Sequence, residues 1–117
     1  MKYALLVYGN TDVVEQTPQV ERDRISAEVD ELVSQPNVTG WLRLHNAEAA
    51  TTVRLEQGST LLTDGPFVDS KEFLGGFIVV EAENLDDVLA IARDLQLLRL
   101  GGGIEIRPVR EEGHVGA

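Results

Sequence analysis

A chain of 117 residues, 43% of them hydrophobic and 26% charged, has the size and balance of one globular domain and no room for a second. Twenty acidic residues against ten basic ones leave a formal charge of −10. Affinity for phosphates comes mainly from Lys and Arg, and no run of either is present, so nucleic acid is excluded as a partner. The chain has no cysteine, which removes disulfides, thiolate nucleophiles, iron–sulfur clusters and cysteine zinc sites.

Tyr3 to Tyr8 is apolar on both alternating faces, which predicts a central strand covered on both sides. The apolar run before Gly9-Asn10 is too short for a secretory signal. No stretch approaches the ~20 apolar residues that span a bilayer, so the expectation is a cytoplasmic protein with no membrane partner. A polar loop then leads to Thr17-Pro18, read as an N-cap and the first residue of a helix. Ile25, Val29, Leu32 and Val33 form one stripe of that helix, and Pro36 stops it.

Val38 to Leu44 reads as a second strand with Trp41 as its bulky member. Thr51 to Leu55 and Thr60 to Thr63, joined at Gln57-Gly58, form a hairpin. Asp64-Gly65-Pro66 breaks regular structure, and Lys71 and Glu72 fall in a short helical turn. Gly76 to Ala82 is a second central strand. Asn84 caps a helix with Leu85, Val88, Leu89, Ala92 and Leu95 on its buried stripe, and Asp86 and Asp87 favour its first turn. Gly101-Gly102-Gly103 ends that region, and Ile104 to Val109 alternates as an edge strand. The domain is expected over residues 1–110, with a flexible tail over 111–117.

The order β-α-β-(hairpin)-β-α-β predicts a ferredoxin-like α+β fold, an antiparallel sheet with two helices on one face. The opposite face then needs a cover, and a second copy is the simplest one, giving a homodimeric α/β barrel.

The densest cluster of turn-forming and charged residues is Asp64-Gly65-Pro66-Phe67-Val68-Asp69-Ser70-Lys71-Glu72. Asp64 has two readings. It is a general acid or base in a pocket, oriented by Lys71, or it closes an Asx-turn over Gly65-Pro66. Lys71 and Glu72 either grip an anionic substrate or are adjacent surface charges. His45, just after the second strand, is of the one residue type that ordinarily titrates near neutral pH. His114 lies in the expected tail and is a poor catalytic candidate. Arg54, Phe67 and Trp41 are candidates for holding and walling a small ligand. Two separated histidines and scattered carboxylates show no metal-ligand spacing. Gly101-Gly102-Gly103 follows a helix instead of opening one, unlike a phosphate loop.

The Asp64-Gly65-Pro66-Phe67 element resembles the hallmark of the YCII-related family, in its DGPF branch. So do Ala50-Thr51-Thr52-Val53-Arg54 before it and Leu74-Gly75-Gly76-Phe77 after it. Asn84-Leu85-Asp86-Asp87 and Ile104-Glu105-Ile106-Arg107-Pro108-Val109 extend the likeness over nearly the whole chain. The resemblance implies the dimeric barrel and no cofactor. Some relatives are cofactor-free enzymes that use a His–Asp pair on small aromatic or chlorinated ring compounds. Their histidine lies near the first strand–helix connection, whereas residues 9–24 here contain none. Genes of the DGPF branch often sit beside those of extracytoplasmic-function sigma factors. Two functions follow as expectations. One is an enzyme on a small metabolite, with Asp64 and His45 catalytic and Lys71, Glu72, Arg54, Phe67 and Trp41 around the substrate. The other is a non-catalytic binding or regulatory domain that partners a sigma factor.

Overall fold

The computed structural model describes residues 1–113. His114 and the end of the expected tail lie outside the described residues. The chain runs β1 (Lys2–Asn10), α1 (Thr11–Gln16), α2 (Gln19–Val33), β2 (Val38–Arg43), β3 (Thr51–Glu56), β4 (Ser59–Asp64), β5 (Glu72–Glu81), α3 (Leu85–Leu98) and β6 (Gly103–Pro108). Four strands form one antiparallel sheet in the order β2-β5-β1-β6, and β3 and β4 pair only with each other. This is a mixed α+β architecture consistent with a ferredoxin-like fold. As expected, the two doubly apolar segments, β1 and β5, are the central strands.

Register fixes the two faces of the sheet. Leu5 lies opposite Ile78 and Ile106, and Tyr3 opposite Val80. These side chains meet Val33 of α2 and Val88, Ala92 and Leu95 of α3 in a single buried core. Leu5, Val80, Val88 and Leu95 are fully buried, each contributing roughly 1.5–3 kcal/mol through loss of apolar contact with water. The alternate residues Ala4, Leu6, Phe77 and Val79 point the other way, where no helix covers them, and they are only half-buried. The sheet thus has a helical face and an open one.

Three expectations need correction. The polar loop after Asn10 is a helix, α1: the Asn10 side chain accepts the Val13 amide at 3.2 Å and caps it. Thr17 does not cap α2; its hydroxyl donates back to the Val13 carbonyl at 2.6 Å and ends α1. Pro18 occupies the cap position of α2 without a side-chain bond. Third, Lys71 and Glu72 are not in a helical turn. Glu72 begins β5 opposite Asn10, because pairing with β1 starts that strand four residues before Gly76. Among the described residues there are therefore three α-helices where two were expected. Among the described residues, no helix is long and apolar enough to cross a membrane.

Candidate functional site

Toward the end of the β1–β5 pairing, the sheet carries an irregularity. Val7 pairs with Gly76 but Tyr8 pairs with Leu74, leaving Gly75 as an extra residue. The Gly75 carbonyl accepts the Leu44 amide at 2.9 Å, which brings the segment after β2 over the sheet end. That segment makes one 3-10 turn at Ala47–Ala49. Its alanines are too small to fill the space beneath. On the far side, the Gly65 amide donates to the Ala50 carbonyl at 2.8 Å and the Thr52 hydroxyl to the Gly65 carbonyl at 2.8 Å. These bonds set Pro66, Phe67 and Val68 as a lip.

The result is a groove of about 680 Å³ with Ala47, Ala49, Ala50, Phe67 and Leu74 among its apolar walls. Its functional groups are the Tyr8 phenol, the His45 imidazole, the Asn46 amide and the Glu72 carboxylate. Glu72 is held from two sides: its carboxylate accepts from the Asn10 side-chain amide at 3.3 Å, and its own amide donates to the Ser70 hydroxyl at 3.1 Å. His45 is exposed and has no hydrogen bond among the described residues, so both ring nitrogens remain for a ligand. An imidazole, a carboxylate and a phenol along an apolar groove are groups that can bind a small molecule and move a proton on it.

Of the expected site residues, His45, Glu72 and Phe67 come together here. Asp64 does not: it ends β4 opposite Thr51, is exposed, and lies outside the groove. Nor does its side chain close an Asx-turn, for it makes no hydrogen bond among the described residues; the backbone of Gly65 makes the closure instead. Lys71 is also outside. Its ammonium pairs with Asp12 at 2.8 Å, which raises its pKa, and its carbonyl accepts from the amide and hydroxyl of Thr11. It fastens α1 to the start of β5. Arg54 pairs with Glu56 at 3.3 Å on the hairpin and lies over the Phe67 ring at 5.7 Å, bracing the lip from outside. Trp41, opposite Ile78, belongs to the helical face, beneath the Arg43 guanidinium at 5.0 Å.

Tyr8, Leu74 and the alanine turn were not expected as site residues. Tyr8 reads as the end of a central strand and Leu74 only as part of the family motif, and the bulge at Gly75 shows which side chains flank the opening. Among the described residues, no three His, Cys, Asp or Glu side chains gather as metal ligands.

Two comparisons bear on this geometry. The family model for the YCII-related domain matches residues 1–112. An uncharacterised protein of Rhizobium meliloti (strain 1021) is 33% identical over 114 residues, covering 93% of this chain and 92% of the relative.

Proposed function

The chain belongs to the YCII-related family, and from that premise we propose that it is a cofactor-independent enzyme acting on a small carbonyl-bearing or aromatic metabolite. We place it in the DGPF branch on Asp64-Gly65-Pro66-Phe67. The observation that carries the reading is the convergence of His45, Glu72 and Tyr8 on one largely apolar groove. His45 takes a proton from the bound metabolite and, as the imidazolium, returns it at a neighbouring atom, with Tyr8 and Glu72 lining the groove beside it. Asp64, outside the groove, has no part in the transfer. A second copy on the open face closes the groove against water, which strengthens every polar interaction inside it.

The test is a ligand-detected NMR screen of small carbonyl and aromatic compounds, followed by turnover of any compound bound. Replacing His45→Gln is expected to lower turnover by roughly 10²–10⁴-fold while binding changes little. An unchanged rate in that variant sinks the role of His45. A bound compound that the wild type never converts, together with retention of a sigma factor by tagged protein, would put the regulatory reading in its place.

A further inference from the structure

The helical side of the sheet holds a second cavity, separate from the groove except for a shared wall at Leu44 and Phe73. Its chamber, about 270 Å³, lies between α2 and the sheet and is lined by Val7, Val29, Val33, Ile78, Leu95 and Trp41. Ile25, Ser26 and Arg99 line this chamber and also an adjoining hollow of about 200 Å³ against α1, so the two adjoin. That hollow has Arg22, Arg99, Ser26 and Thr17 as its polar lining and no carboxylate.

The hollow brings together two cations that no carboxylate answers. Five side-chain cations, Lys2, Arg24, Arg43, Arg54 and Lys71, pair with carboxylates. Arg22, Arg93, Arg99, Arg107 and Arg110 have no such partner among the described residues, and of these Arg22 and Arg99 line the same hollow. Arg99 is half-buried, and the one hydrogen bond of its guanidinium among the described residues goes to a neutral acceptor, the Tyr8 carbonyl at 2.9 Å. Burial pushes its pKa down. A guanidinium so placed has donors left over, and its planar fork suits a carboxylate. Thr17 is already spent on the Val13 carbonyl, which leaves Ser26 as the free hydroxyl.

We propose that this is a binding site for an amphipathic monocarboxylate. The carboxylate sits between Arg22, Arg99 and Ser26, and the apolar body runs into the chamber toward Trp41. Two unpaired guanidinium groups supply the head-group recognition, and the aliphatic walls supply burial of the chain. The local field of the arginines outweighs the mean negative charge because the hollow's walls carry no competing anion.

Trp41 is the only tryptophan and lines the chamber, so its fluorescence reports occupancy directly. The probe is octanoate, with 1-octanol as the uncharged comparison and inorganic phosphate as the head-only one. Octanoate is expected to produce a saturable change, and octanol to bind about tenfold or more weakly. Arg22→Gln, at an exposed position whose side chain makes no hydrogen bond or ion pair among the described residues, is expected to weaken octanoate by a similar factor. Arg99→Gln weakens it further, and if that variant fails to fold, Arg22→Gln decides alone. His45→Gln should leave octanoate binding unchanged, since that residue lies in the groove. Equal binding of octanol and octanoate, unchanged binding in Arg22→Gln, loss of octanoate binding in His45→Gln, or binding of phosphate but not octanoate would each overturn the proposal.

Discussion

Gly65 has φ of +103°, a region that L side chains rarely adopt, and nothing lies within 4 Å of where a Cβ would stand. The glycine is there for backbone conformation and not for space. Gly65→Ala should therefore strain the closure by about 1–3 kcal/mol. Because β3 and β4 share no ladder with the main sheet, the loss is local. Hydrogen exchange should show the hairpin amides opening roughly 5–150-fold more often, with the urea midpoint of the whole domain unmoved. An unaltered exchange pattern would mean that the closure does not hold the hairpin. At another residue, hydrogen bonding by Arg24 lowers the pKa of Glu21. A depressed carboxylate contributes stability above its ordinary pKa, about 4.3, and loses it as pH falls through the folded value. The difference in urea midpoint between wild type and Glu21→Gln should stay constant from pH 8 to pH 5 and close below about pH 4. A gap that widens in acid would contradict this sign.

At the scale of elements, α3 shows how a helix start is specified. The Asn84 side chain accepts the Asp87 amide at 3.1 Å, with Asp86 and Asp87 in the first turn. Val88, Ala92 and Leu95 then enter the core, so fraying is felt by the whole domain. Asn84→Ala should destabilise it by about 1 kcal/mol, measured by urea unfolding, and Asn84→Ser should recover most of that. This helix was legible because cap, charge and apolar stripe agree. By contrast α1 was not, since six residues with only Val13 and Val14 apolar carry no periodicity. The full length of β5 was hidden too, as Lys71-Glu72 reads as surface turn until pairing with β1 is known. Groove and motif separate for the same reason. His45, Glu72 and Phe67 stand out as residue types, but Asp64 drew notice through its neighbours, and what those neighbours fix is Gly65. The unpaired state of Arg22 and Arg99 depends on which carboxylates are near them, which spacing along the chain does not reveal.

For the molecule as a whole, apolar patterning predicted the two central strands and layer rules the one-sided helical cover. The bare face follows from the same alternation: Leu42, Phe77 and Leu6 form an apolar row across three strands. If a second copy covers that row, the wild type should sediment as a dimer. Leu6→Arg should then sediment as a monomer with its circular dichroism preserved. A wild type that sediments as a monomer at micromolar concentration removes both the barrel and the closed groove.

The order of strands also governs how the chain comes into being. β1 leaves the ribosome before the other described strands, yet its neighbours are β5 and β6, the last two of them to be made. At roughly 5–20 residues per second, several seconds pass in which Tyr3, Leu5 and Val7 have no strand to pair with. Local contacts cannot shorten that interval, because the partners have not yet been synthesised. Vulnerability to aggregation is thus concentrated during translation, in the segment destined for the deepest place in the sheet.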